Sequence, residues 1–285
     1  MTGIAVGQLS GARRLWVHIG RPRNAGTILA AVVLALVVIA ALAPGLLVSG
    51  DPLDVTPRNR LRAPSLSHLF GTDQLGRDVL TRVVHGTGAS LSAALVAVTI
   101  AVVGGALIGV GAGYLGGWTD RIGMRFVDVL LAVPALLISM TVIAATGGGT
   151  VELGVAVGVA GIAGASRVIR SRTMQLRAMP FVEAALVSGW SRPTVVRRHV
   201  LPHLWPTTAA VASVEFGQAV LAVAALGFLG FGPPPPAPEW GAMVADGRAF
   251  VAGAWWLTAA PALVITVVVL AAYRLSRVIG ENHRA

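Results

Sequence analysis

Glu183-Ala184-Ala185-Leu186-Val187-Ser188-Gly189, followed after nine intervening residues by His199-Val200-Leu201-Pro202, is the stretch on which the reading of this chain turns. It lies in an arginine-rich segment between two long apolar runs, where a membrane protein can present a short helix to something in the cytoplasm. Pro180 suits the first turn of such a helix, because the N–H it lacks would be unpaired there anyway. Gly189 suits its end, because glycine takes φ > 0 at little cost. Together they predict an exposed helical knob of about two turns. Glu183 falls in its first turn, where the helix dipole favours an acid by roughly 0.3–1 kcal/mol. Ala184 and Ala185 keep the surface thin enough for a partner to approach closely.

The rest of the chain supports a membrane setting for that knob. Hydrophobic residues make up 55% of the 285 residues and charged residues 12%, with a mean hydropathy of +0.77. An average soluble domain is about 25% charged, so this is an integral membrane protein. Windows with few or no charges, long enough to cross ~30 Å of hydrocarbon as helices, fall near residues 26–48, 89–115, 129–145, 151–169, 206–229 and 255–273. The fold class expected is therefore an all-α bundle of six transmembrane helices. The fourth window is the least clear, being short and rich in glycine with Glu152 at one end. Pro134 is expected to kink the third span.

Charge placement sets the expected topology. With a cytoplasmic N-terminus, sixteen arginines fall in inside segments and only Arg58, Arg60, Arg62, Arg77, Arg82 and Arg248 outside, interspersed there with acids. The positive-inside rule thus favours six spans with both termini cytoplasmic. The net charge of +10 follows from this topology and from contact with anionic lipid headgroups, so nucleic acid is not an expected partner. The first apolar run exceeds the length of a signal-peptide core, so a retained span is expected rather than a cleaved leader. Cysteine is absent, which excludes disulfides and thiolate metal sites. All 22 basic residues are arginine, and a phosphate-binding P-loop needs a lysine, so any ATPase must sit on another chain. The six histidines are scattered without paired acids, and no metal site is expected.

The pattern around Glu183–Pro202 resembles the coupling-loop signature of ABC importer permeases. Three further stretches resemble the C-type permeases of the dipeptide, oligopeptide and nickel branch of that family. These are His68-Leu69-Phe70-Gly71-Thr72-Asp73-Gln74-Leu75-Gly76-Arg77-Asp78-Val79-Leu80, the run Gly116-Gly117-Trp118-Thr119-Asp120 continuing through Met124 to Pro134, and Leu226-Gly227-Phe228-Leu229-Gly230-Phe231-Gly232 with Pro235, Pro238, Glu239, Trp240, Gly241 and Ala242. Pro193, which would interrupt the second coupling-loop helix, and the tail from Arg277 to Asn282 depart from the family pattern. The residues themselves suggest that 71–80 forms an interfacial amphipathic helix, with Asp73 as N-cap and Asp78 and Arg82 spaced i,i+4.

The resemblance implies a type I ABC importer permease fold in a bacterial inner (plasma) membrane. The implied organisation is a cytoplasmic tail over 1–25, a first transmembrane helix over 26–48 and an extracytoplasmic segment over 49–88. A five-helix core then covers 89–275, with a cytoplasmic coupling loop at 170–205, and a tail covers 276–285. It implies a subunit that is not an enzyme and binds no cofactor, with ATP and Mg held by two partner ATPase domains. The other implied partners are a homologous permease and an extracytoplasmic substrate-binding protein. The coupling residues carried over are Glu183, Ala184, Ala185, Gly189, His199, Leu201 and Pro202, with His199 in a packing role. Glu215, the one acid well inside a predicted span, and Gln218 one turn on, are candidates for the translocation pathway. Di- or oligopeptides are the substrate class implied, ahead of nickel or another small solute. An ATP-independent secondary transporter or channel remains the alternative of a different class; it would be expected to show coupling acids, broken helices or inverted repeats.

Overall fold

The computed structural model describes residues 25–282. Arg13, Arg14, His18, Arg21 and Arg23 of the N-terminal tail, and His283 and Arg284, lie outside the described residues. Among the described residues the regular structure is helical. The helices are α1 (Ala25–Leu42), α2 (Val79–Leu115), α3 (Gly117–Ala132), α4 (Ala135–Thr146), α5 (Thr150–Arg177), α6 (Pro180–Val187), α7 (Arg192–Val195), α8 (Leu201–Phe228), α9 (Trp240–Gly247) and α10 (Trp256–Asn282). A π-helical turn, Val196–Val200, joins α7 to α8 without a break.

Five of these are long and apolar enough to cross a membrane, α8 being counted with its α7 lead-in. The sixth crossing exists only if α3 and α4 count as one span, and they meet at 94°. Pro134 therefore breaks the third span rather than kinking it. It offers no N–H to the preceding turn, and its ring forces Val133 into an extended conformation (φ −101°, ψ 133°). The new helix starts on the Pro134 carbonyl, which accepts from Leu137 N at 2.9 Å. With 12 residues, α4 is about 18 Å long.

The fourth window becomes the centre of the bundle. Small residues let α5 and α2 approach backbone to backbone: a Cβ on Gly158 would stand 2.8 Å from the Ala97 carbonyl oxygen, and one on Gly109 2.8 Å from that of Ser166. Within a membrane this close contact is what drives helix pairing, so the glycine content that weakens α5 as a hydropathy signal secures it as a packed helix. The main core cluster gathers α2, α5, α8, α9 and α10 and includes the buried Trp240 and Trp256.

Residues 71–78 are not helical. Asp73 instead ties a compact turn: its Oδ1 accepts from Leu75 N at 2.8 Å and Arg77 N at 2.9 Å, and its Oδ2 accepts from Arg77 Nε at 2.6 Å. Arg82 Nε stands 3.7 Å from the same Oδ2, so Arg82 pairs with Asp73 and not with Asp78. Asp78 is the residue that caps a helix, accepting from Thr81 N at 2.8 Å at the start of α2 and from His68 Nδ1 at 2.8 Å. The helix could not begin earlier because Gly71 (φ +70°) and Gly76 (φ +80°) hold left-handed turns, and a side chain at Gly76 would collide with the Thr56 carbonyl. As a result α2 starts ten residues before its predicted span and runs for 37 residues, about 55 Å.

Candidate functional site: the α6 knob and the bundle cavity

At the end of the bundle away from α9, α5 stops at Arg177 and the chain turns directly into α6. Pro180 occupies the first turn of α6, and Glu183 stands in that turn, exposed beside Ala184. Ala185 is half-buried and packs inward. The helix ends in a double closure: Gly189 N donates to the Leu186 carbonyl at 3.0 Å and Trp190 N to that of Ala185 at 3.2 Å, with Gly189 at φ +86°. This is the Schellman arrangement, which satisfies the last carbonyls of a helix.

The knob is anchored from below. Val182 is fully buried against Tyr114, Leu176, Val195, Val200 and Leu204, so the ends of α2 and α5 and the start of α8 form its seat. Pro193 does not interrupt a helix here. It sits in the first turn of α7, where it lacks nothing the helix needs. The helix therefore runs on through the π turn into α8, with Leu201 exposed and Pro202 in its opening turn.

His199 lies in the π turn and is half-buried. Its ring meets Trp190 edge-on at 5.3 Å and lies 6.4 Å from Phe181. His203 stacks on Phe181 at 4.8 Å, and the Arg198 guanidinium lies 5.3 Å from the Trp190 ring. This aromatic cluster joins the two halves of the loop. Neither Phe181 nor Trp190 was singled out by the sequence pattern; their places in the first turn of α6 and just past its end were the available signal.

A second candidate site lies inside the bundle, halfway along α8. Glu215 and Gln218 line a cavity of about 260 Å³ between α2, α4, α5 and α8, whose other wall residues include Ala97, Ala101, Leu136 and Gly161. The 94° break between α3 and α4 opens onto it, since Leu131 and Ala135 are also in the wall. No hydrogen bond joins Glu215 to Gln218 among the described residues.

Residues 105–281, running from the last third of α2 through α3 to α10, match the family described as binding-protein-dependent transport system inner membrane component. The chain belongs to this permease family. Over 239 residues the permease is 37% identical to a dipeptide transport system permease protein of Alkalihalophilus pseudofirmus, covering 84% of this chain and 78% of that one. It is 36% identical over 263 residues to a probable D,D-dipeptide transport system permease protein of Escherichia coli K12, covering 92% and 87%. A glutathione transport system permease protein of Pectobacterium atrosepticum is 38% identical over 208 residues, or 73% and 69% of the two chains. Among solved structures, an amino acid ABC transporter matches with a TM-score of 0.56 at 16% identity, over 71% of this chain and 94% of the other. The methionine ABC transporter MetNI in inward-facing conformations matches at 0.54 and 17%, over 70% and 96%. These likenesses carry the fold, which is that of a type I importer permease. The permease is thus a multi-pass inner-membrane transport subunit and not an enzyme, and the ATP-independent transporter is set aside.

Proposed function

We propose that this permease carries di- or oligopeptides across the membrane, handed to it by an extracytoplasmic binding protein and driven by two ATPase domains on other chains that hold ATP and Mg. A homologous permease completes the pathway, and both termini face the cytoplasm. The loop Glu183–Pro202 docks on an ATPase, with Glu183, Ala184, Ala185 and Gly189 forming the contact and His199, Leu201 and Pro202 joining it to α8. Glu215 and Gln218 line the path. The organisation into a tail, a first span, an extracytoplasmic segment 49–88 and a core 89–275 belongs to the same reading.

The observation that carries this reading is the construction of α6. Its outer surface is exposed while Val182 beneath it is fully buried, and the π turn makes α7 and α8 continuous. A push on α6 is therefore delivered to a helix whose middle lines the cavity. The relatives named for dipeptide and D,D-dipeptide transport support the substrate class.

The chain has no cysteine, so Glu183→Cys gives a single attachment point. In the assembled transporter a short bifunctional cross-linker at that position is expected to capture an ATPase subunit, and binding-protein-dependent uptake of a dipeptide into liposomes should need every partner. Uptake by this chain alone, or cross-linking only to the binding protein, would reject the reading.

A further inference from the structure

The cavity wall has one chemical character over nearly all its area. Alanine, glycine, valine and leucine make up most of it, and the polar members are Ser139, Glu215 and Gln218. Ser139 is already engaged, its Oγ donating to the carbonyls of Ala135 at 3.0 Å and Ala156 at 3.3 Å. No arginine or histidine lines the space. Its volume of about 260 Å³ is just below the ~300 Å³ at which small-molecule pockets begin.

Glu215 stands midway between Leu201 and Phe228, half-buried. Among the described residues no hydrogen bond or ion pair reaches its carboxylate. Helix α5 makes room for it. A Cβ on Gly161 would lie 3.2 Å from Oε2 and one on Gly164 3.6 Å from Oε1, so two glycines one turn apart form a bare floor under both oxygens. An acid at mid-membrane is expensive unless it meets a cation or faces a water-filled path, and the bundle supplies no cation here.

We infer that Glu215 selects substrate within the membrane: its carboxylate receives the protonated primary amine of a solute passing through the cavity. This rests on the reading of the chain as a peptide permease, since a peptide's free N-terminus is such an amine. An ammonium group has three N–H donors, enough to reach both Glu215 oxygens and the amide oxygen of Gln218 one turn on. The largely apolar wall lowers the local dielectric and so strengthens the pairing. An N-acylated solute leaves the carboxylate unpaired, and an anionic one is repelled, so the site discriminates by penalty as well as by attraction.

The test uses the complete transporter, with its permease partner, ATPase subunits and binding protein. In detergent, the wild-type complex is treated with a hydrophobic carbodiimide with n-butylammonium, with n-butanol or with neither, and modification of Glu215, counted as the sum of the N-acylurea and any butylamide formed from the same activated carboxyl, is followed by mass spectrometry. Butylammonium at several times its dissociation constant is expected to slow modification about fivefold, and n-butanol to leave it unchanged. Equal rates with and without butylammonium overturn the inference. In liposomes, E215Q is expected to lower alanyl-alanine uptake about tenfold, equivalent to ~1.4 kcal/mol, while E215D retains most of it. Wild-type uptake by an assembled E215Q complex overturns the inference. Butylammonium protection in a wild-type complex that fails to carry alanyl-alanine supports the ammonium site and rejects the peptide reading instead.

Discussion

Ser90 Oγ donates to the Glu239 carboxylate at 3.0 Å, joining α2 to the start of α9 across 149 residues of chain. The same Oε1 accepts from Gly241 N at 2.9 Å, and Oε2 accepts from Ala242 N at 2.8 Å, so Glu239 caps α9 while it clamps α2. Beside it, Trp240 N donates to Ser90 Oγ at 3.2 Å and Trp240 Nε1 to the Val83 carbonyl at 3.0 Å. Glu239 and Trp240 are both almost wholly buried. The Glu239–Ala242 run, one of the stretches that carry the family resemblance, is thus a clamp between two helices.

Glu239→Gln keeps the shape of this clamp but turns one acceptor into an NH2 facing an N–H donor. It is expected to destabilise the assembled protein by about 1–3 kcal/mol, read as a lower melting temperature in detergent. The effect has a pH signature. Burial pushes the Glu239 carboxyl above its ordinary value of 4.5, more than the hydrogen bonds from Gly241, Ala242 and Ser90 pull it down. Between 4.5 and the raised value, the folded protein keeps a proton that the unfolded chain has released. The contribution of this group to stability therefore falls as pH rises through that window and is largest below it. Melting of wild type measured from about pH 8 down to about pH 5 should carry this component, and Glu239→Gln should lack it.

Asp73 compensates two arginines, Arg77 at 2.6 Å and Arg82 at 3.7 Å, and all three side chains are buried. Asp73→Ala strands Arg77 and leaves Arg82 with only the field of Asp246 and the Pro52 carbonyl, and is expected to cost about 3–5 kcal/mol, seen as loss of assembled complex from membranes. Asp78→Ala removes the α2 cap, and its cost should be nearer 0.5–2 kcal/mol, since capping losses fall in roughly that range. Equal losses for the two variants would contradict the ranking.

Gly189 illustrates a backbone requirement without a packing one. A Cβ there would meet nothing within 4 Å, yet φ is +86°. Substitution by an L-residue costs roughly 1–2 kcal/mol through the left-handed conformation alone, and a β-branched residue suffers most. Gly189→Val is expected to abolish ATP-driven uptake at normal membrane levels, with Gly189→Asn intermediate. Normal coupling of hydrolysis to uptake in the valine variant would show that the loop tolerates a different ending.

Gly158 has the opposite requirement. Its Cβ would meet the Ala97 carbonyl and Ile100 Cβ, each at 2.8 Å, so Gly158→Leu must push α5 away from α2. Failure to accumulate in the membrane is expected. Gly111, where a Cβ meets nothing within 4 Å, is the control, and Gly111→Ala should leave expression and uptake unchanged.

Most of the helical content was legible in the sequence, because spanning segments advertise themselves by long apolar windows and each window corresponds to a helix or a bent pair. The α6 knob was legible too, since its start at Pro180 and its left-handed ending at Gly189 are local properties of single residues. What the tertiary structure alone decided involves partners distant in sequence or several local forces in competition. The Pro134 break became a 94° turn because α3 packs on α2 and α5 while α4 follows α5. The helix expected over 71–80 gave way to a turn because Asp73 finds Arg77 and Arg82, and Gly76 must clear the Thr56 carbonyl. Hydropathy marks Glu215 as an acid inside a span, but its placement over the Gly161 and Gly164 floor depends on how α5 meets α8. Composition and caps are written residue by residue; the register of one helix against another is set by the packing of all of them together.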